Sequence, residues 1–194
     1  MNSAVRSAQA MPALPADDFR AAMRQLSGGV SVITTGRGDD ISGMTVTSVA
    51  SFSVDPASLI VSINRQSSSW PLLLHHRAFG VSILSSEQQQ VAERFTGRDG
   101  LKGRDRFAGA QWTTLVSGVP LLIDALAAID CEVEEIIERH SHGIVIGRVL
   151  QTQVSRNTSA LTYWQGQYVA IDQNEDAVKL AEVSLPTARA RWRG

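Results

Sequence analysis

Met44-Thr-Val-Thr-Ser-Val-Ala-Ser-Phe-Ser-Val-Asp-Pro-Ala-Ser-Leu-Ile-Val-Ser-Ile-Asn-Arg-Gln-Ser-Ser-Ser-Trp70 interleaves strand formers with an unusual density of hydroxyls. Val46, Val49, Phe52 and Val54 are β-branched or aromatic and suited to packing. Thr45, Thr47, Ser48, Ser51 and Ser53 add short side-chain donors to the backbone N–H groups. Asp55-Pro56 turns the chain, and residues 59–63 read as a second, more buried strand that ends at Asn64. Ser67-Ser-Ser-Trp-Pro71, that is Ser67, Ser68, Ser69, Trp70 and Pro71, then opens a short helix, hydroxyl caps first and proline inside the first turn. A helix start presents free N–H groups and the positive end of its dipole, a natural seat for phosphate. Strand hydroxyls for a flat polar ring, followed by a helix start for its phosphate, describe a mononucleotide site. The competing reading is a Ser/Thr-rich strand pair with one solvated face.

Outward from this stretch, strands dominate. Residues 30–35, 41–52, 59–63, 79–84, 126–137, 143–154 and 168–171 read as strands, some joined by short turns such as Gly36-Arg-Gly-Asp-Asp40 that favour antiparallel pairing. Asp17 or Asp18 caps a helix whose Phe19, Ala22, Met23 and Leu26 share a face, and Gly28-Gly29 ends it. A second helix, 87–95, is opened by Ser86 with Gln89 three residues on. Many strands with few short helices imply a closed or nearly closed antiparallel barrel. The organisation expected is a flexible or partner-wrapped arm at 1–15, one domain at 16–172, and a C-terminal tail at 173–194 with one short helix at 175–183.

With 18 basic and 19 acidic residues and a net charge of −1, no overall field favours nucleic acid or an anionic membrane. The basic cluster Arg189, Arg191 and Arg193 around Trp192 reads as a solvated or partner-contacting tail. A single cysteine, Cys131, forbids an internal disulfide and suits a reducing cytosol. Its alternation with Ile129 and Val133 against Asp130, Glu132 and Glu134 places it on the buried side of a strand. The first 15 residues lack the apolar core of a signal peptide, and no stretch approaches the ~20 apolar residues that span a bilayer, so a soluble, cytoplasmic protein is expected. Neither a Rossmann glycine turn nor a P-loop lysine occurs. His140 and His142 would face one side of a strand as a surface pair or two metal ligands; no neighbouring cysteine or acid completes a tetrahedral set, so no metal is expected. Trp70 and Trp112 are packing residues or ring stackers.

The chain resembles the flavin reductase family, the short-chain reductase components of two-component flavin monooxygenases such as those for 4-hydroxyphenylacetate. The likeness runs from Gly28-Gly-Val-Ser-Val-Ile-Thr-Thr35 through the opening stretch to Phe79-Gly-Val-Ser-Ile-Leu84, Ala92-Glu-Arg-Phe95 and Asp105-Arg-Phe-Ala-Gly109. It continues in Gly118-Val-Pro-Leu-Leu122, His142-Gly-Ile-Val-Ile-Gly147 and Leu161-Thr-Tyr-Trp-Gln-Gly166. Order and spacing over roughly 150 residues, a whole domain's worth, make the match specific.

The resemblance implies a mainly β, FMN-binding split β-barrel with Greek-key connections, assembled as a homodimer with flavin near the subunit interface. It implies NADH or NADPH folded over FMN or FAD on the same barrel, hydride transfer from nicotinamide to flavin, and delivery of reduced flavin to a separate monooxygenase. Thr45, Val46, Thr47, Ser48, Ser51 and Ser53 would then contact the isoalloxazine and ribityl parts, and Asn64 and Ser67 to Trp70 the phosphate. His142, the one catalytic candidate, would orient the nicotinamide, with Arg106 and Tyr163 beside it. Ser141 stands where family members usually carry an acid. The loop 97–107, ending in Arg104-Asp-Arg-Phe107, either closes over ligand or is solvated. A flavin-holding electron carrier without nicotinamide turnover and a corrinoid reductase of the same family are the alternatives.

Overall fold

The computed structural model describes residues 13–156 and 159–172. Residues 1–12 of the expected arm and the tail from 173, with its helix, lie outside the described residues. In chain order the elements are α1 (Ala16–Met23), β1 (Gly28–Gly29), β2 (Ser31–Arg37), β3 (Asp40–Val46), β4 (Ala50–Val54), β5 (Ala57–Asn64), α2 (Trp70–His76) and β6 (Ala78–Ile83). There follow α3 (Gln89–Phe95), β7 (Trp112–Thr114), β8 (Pro120–Leu122), β9 (Ala127–Arg139), β10 (His142–Val154), β11 (Ser159–Trp164) and β12 (Gln167–Asp172).

Seven strands form the main sheet in the order β3-β2-β6-β9-β10-β5-β4, flanked by β1-β11-β12 and by the pair β7-β8, with every pairing antiparallel. The sheet curls around one core. Ile33 of β2, Val61 and Ile63 of β5, Phe79 and Val81 of β6, Cys131 and Val133 of β9 and Val145 of β10 pack in a single cluster with Trp70 and Leu73 of α2. Side chains tie the strands to the segments around them: the Ser42 hydroxyl of β3 lies 2.9 Å from that of Ser69 at the start of α2, and the Ser48 hydroxyl, in the connection from β3 to β4, donates to the Ser62 carbonyl of β5 at 2.9 Å. The other face of β2 serves a second core, where Val30 and Val32 meet Leu84, Ala92, Phe95, Phe107, Leu122 and Leu161. The expected antiparallel barrel is borne out, and β2 is buried on both faces because it stands between two cores.

Two glycines let the barrel close tightly. A Cβ on Gly143 would lie 2.3 Å from Cη2 of Trp70, and one on Gly147 would lie 2.4 Å from Cζ of Phe79. The spacing in His142-Gly-Ile-Val-Ile-Gly147 therefore reflects two rings crossing β10. Cys131 is fully buried, and burial, reinforced by Asp130, pushes its thiol up to about 12, which leaves it inert.

Several local expectations are corrected. The single strand 41–52 is two strands, because β4 pairs with β5 at the opposite edge of the sheet from β3 and the chain must leave the sheet between them. Phe52 and Val54 do not pack within the chain: they are 61% and 92% exposed on the edge strand β4. No residue of α1 is buried, Pro15 rather than an aspartate occupies its N-cap, and Asp17 and Asp18 sit in its first turn. Gly28-Gly29 forms a short strand rather than the helix stop. The capping box before α3 is Ser85 with Gln88, one residue earlier than expected, and it opens a 3-10 turn. Ser69 caps α2 by position only, without a side-chain cap bond. Strands β1, β7, β8 and β11 were not anticipated. No helix among the described residues is long and apolar enough to cross a membrane.

Candidate functional site

The turn between β5 and α2 is built from its own polar groups. Asn64 Oδ1 accepts the Gln66 N–H at 2.9 Å, the Ser67 N–H reaches the Asn64 carbonyl and the Trp70 N–H the Ser67 carbonyl. The N–H groups of Ser68 and Ser69 have no backbone acceptor among the described residues. Ser69 is 1% exposed and engaged with Ser42 at 2.9 Å, which itself lies 3.4 Å from the exposed Ser68 hydroxyl. The buried Ser67 Oγ has no hydrogen-bond partner. A buried hydroxyl without a partner is rare and costs ~1–3 kcal/mol, so its presence beside two free N–H groups fits an acceptor that arrives with a ligand. Because α2 has only seven residues, the donors here are these local groups rather than a long helix dipole.

Trp70 belongs to the core: it is 6% exposed beneath Gly143, so its indole is no ring stacker. Trp112 likewise packs on Phe95 and Phe107, with its Nε1–H donating to the Phe107 carbonyl at 2.9 Å.

Pairing of β5 with β10 brings the two halves of the expected site together. His142 lies directly opposite Asn64, and Ile144 opposite Ser62, whose carbonyl receives the Ser48 hydroxyl. Ser48, Asn64 and His142 therefore fall within about two residues of one another along the strands, ~7 Å. The ring of His142 is held by Ser141, Oγ to Nδ1 at 2.8 Å. His140 does not share a strand face with it; it occupies the two-residue hairpin turn at φ +50°. Among the described residues no group of three or more His, Cys, Asp or Glu is placed to hold a metal ion.

A second cluster forms at the end of β3. Thr45, Val46 and Thr47 line a cleft of about 290 Å³ with Val30, Tyr163, Tyr168 and Arg98. Tyr163 and Tyr168 meet edge to face at 5.2 Å. Burial first, then Glu93 and Tyr163, raise the Tyr168 phenol above its ordinary range, while Arg98 opposes them, so the Tyr168 phenol enters as a neutral donor. Thr45 itself is turned away, its hydroxyl donating to the Ala92 carbonyl at 2.5 Å.

Other expected site residues stand apart. Ser51 and Ser53 oppose Leu59 and Ser58, five and six residues before Asn64 on β5, roughly 17 to 20 Å away. Ser53 donates to the Asp55 carbonyl in the hairpin turn. Arg106 is a loop tie: Nε donates to the Leu101 carbonyl at 2.9 Å and Nη1 to that of Gly43, and burial lowers its pKa. It anchors loop 97–107 to β3, a role that leaves fewer of its donors for nicotinamide. Reading from residue types missed Ser42, Arg98 and Tyr168; only the fold brings the first to α2 and the other two to Thr47.

The family model described as flavin reductase like domain matches residues 23–172. The protein named FMN reductase (NADH) RutF 2, from Rhizobium rhizogenes, is 33% identical over 165 residues, covering 82% of this chain and 94% of that relative. The reductase subunit HsaB of a flavin-dependent monooxygenase, from Rhodococcus jostii, is 32% identical over 157 residues, 81% of this chain and 78% of HsaB. The crystal structure of BorF, the flavin reductase component of a bacterial two-component tryptophan halogenase, superposes with a TM-score of 0.76 at 29% identity, covering 82% of this chain and 99% of BorF. With a barrel core and a family match across nearly the whole described chain, this protein belongs to the flavin reductase like domain family.

Proposed function

We propose that this chain is an NAD(P)H-dependent flavin reductase that reduces FMN or FAD and passes the reduced flavin to a separate monooxygenase. The observation that carries the reading is the pairing of Asn64 with His142, which sets the turn holding the unpartnered Ser67 hydroxyl and the histidine hairpin at neighbouring ends of the paired strands β5 and β10. The phosphate goes to Ser67, Ser68 and the free N–H groups of the turn. The ring goes to the Thr45 to Ser48 segment, where backbone and hydroxyl donors stabilise negative charge. When bound, flavin and nicotinamide supply the reacting atoms; the protein orients them and excludes water. His142 donates a hydrogen bond to the nicotinamide nucleotide. Tyr163 walls the cleft, and Arg98 offers a cation to the nucleotide's phosphates. NADH is the expected donor, because the similar proteins carry NADH in their names.

Mixing the protein anaerobically with FMN or FAD and NADH should bleach the oxidised flavin absorbance within seconds without a mediator, and NADPH should be compared in parallel. Flavin that stays oxidised with both donors would make the chain a carrier. Efficient reduction of a cobalt corrinoid with idle free flavin would make it a corrinoid reductase.

The same reading includes a homodimer. Phe19, Met23 and Leu26 on and after α1 are 57%, 44% and 65% exposed, and Phe52 and Val54 crown the opposite sheet edge, apolar surface that a second copy would cover. Light scattering at micromolar concentration should report about twice 20.9 kDa. A monomer that turns over flavin would remove the interfacial site from the proposal.

A further inference from the structure

Arg65 stands where the two halves of the proposed site touch. It follows Asn64 directly, so its backbone belongs to the phosphate turn. Its N–H donates to the Ser141 carbonyl at 2.9 Å, its Nη1 to the His140 carbonyl at 3.1 Å, and its Nη2 pairs with the Glu138 carboxylate at 2.5 Å. One residue thus engages three groups of the hairpin that carries His142.

That hairpin needs an outside hold. The connection from β9 to β10 is only His140-Ser141, and His140 sits at φ +50°, a conformation that an L side chain rarely adopts and keeps only when its surroundings over-determine it. Both turn carbonyls are tied by Arg65. The Ser141 hydroxyl then lies 2.8 Å from Nδ1 of His142, so the geometry of the turn sets the direction of the ring. With an arginine side chain 40% and a glutamate 45% exposed, the ion pair alone contributes little. The guanidinium's contribution is geometric: its fork reaches a carbonyl and a carboxylate at once.

We propose that Arg65 is a positioning residue for the reaction, fixing the His140-Ser141 turn to the phosphate turn so that His142 is oriented by the same segment that receives the flavin phosphate. This rests on the assignment of His142 to the nicotinamide pocket. It adds to that assignment a coupling: whatever orders turn 64–69 also orders His142.

The test is a double-mutant cycle on the full chain, Arg65→Ala and His142→Ala singly and together, with Arg65→Lys as the conservative variant. Steady-state kinetics, melting temperature and flavin titration are read for each. Arg65→Ala should raise the KM for NADH about fivefold with melting temperature close to wild type. Arg65→Lys should recover part of that loss, because an ammonium keeps the Glu138 pair but not the fork. The double variant should be no worse than His142→Ala alone, since Arg65 acts through His142. Multiplying penalties would show that Arg65 acts independently and would overturn the proposal. Wild-type kinetics for Arg65→Ala beside an impaired His142→Ala would overturn it while leaving the site reading intact. Wild-type kinetics for both single variants would remove the site reading and the proposal together. Should Arg65→Ala fail to fold while Arg65→Lys retains a wild-type KM, the role is purely structural and the proposal falls.

Discussion

Replacing Ser67 and Ser68 together by alanine is expected to weaken flavin binding by about tenfold or more while leaving the ligand-free protein as stable as wild type. The two effects separate because of what each hydroxyl touches. Ser67 Oγ is buried and lacks a partner, so the ligand-free fold loses no hydrogen bond with it. Ser68 is exposed and has only a long 3.4 Å approach from Ser42. Hydrogen bonds to a charged phosphate contribute ~1.5–3 kcal/mol each, and tenfold in affinity corresponds to ~1.4 kcal/mol, so even heavy compensation by the N–H groups of Ser68 and Ser69 leaves a tenfold deficit. Ser69→Ala provides the contrast. It breaks a buried 2.9 Å contact to Ser42 that joins β3 to α2, so it should lower the melting temperature before it touches affinity. Fluorescence titration with FMN and thermal melts of the three proteins decide the matter. An unchanged dissociation constant in the double variant would move the phosphate elsewhere.

The barrel was legible because its evidence is periodic and local. Leu59, Val61 and Ile63 alternate toward one core, and Cys131 lies where the alternation of β9 puts it. The break between β3 and β4 was not legible, because Thr47-Ser-Val49 is as strand-like as what flanks it. Only the sheet order, with β3 and β4 at opposite edges, forces the chain out of the sheet there. Propensity carries no information about that crossing.

The same division runs through the site. The turn at Asn64 to Ser69 was readable from residue types, since Asn and Ser favour turns and leave donors free. Which serine is free was not readable, for it depends on Ser42 arriving from β3 to engage Ser69 and leave Ser67 alone. Trp70 read as a packing residue before a ring stacker, and the glycine at 143 decides for the core by making room beneath β10. Arg106 looked available for a nucleotide because one of the carbonyls that engage it, that of Gly43, is 63 residues away in sequence. Ser53 was assigned to the ring by resemblance, and the β4-β5 hairpin places it opposite Ser58, six residues before Asn64, a separation that residue types do not reveal.

His142→Ala is expected to lower kcat/KM for the nicotinamide nucleotide by about 5- to 150-fold, with flavin affinity and melting temperature close to wild type. The exposed ring makes one hydrogen bond within the described chain, to the adjacent Ser141, so removing it opens no cavity and orphans no buried group. A stability loss beyond a few tenths of a kcal/mol has no source in that environment. The loss in catalysis does have one. A positioning hydrogen bond to a bound nucleotide is expected to contribute roughly 1–3 kcal/mol, which converts to the stated range. Because hydride transfer needs the donor and acceptor atoms aligned, the penalty should divide between weaker nucleotide binding and slower reduction. Anaerobic stopped-flow measurement of flavin reduction against NADH concentration separates the two, the saturating rate reporting alignment and the half-saturation point reporting binding. Wild-type kinetics with both NADH and NADPH would return His142 to the surface of the barrel. A fall in flavin affinity of the same size would instead place the ring on the flavin side of β5, next to Asn64, where the strand register already sets it.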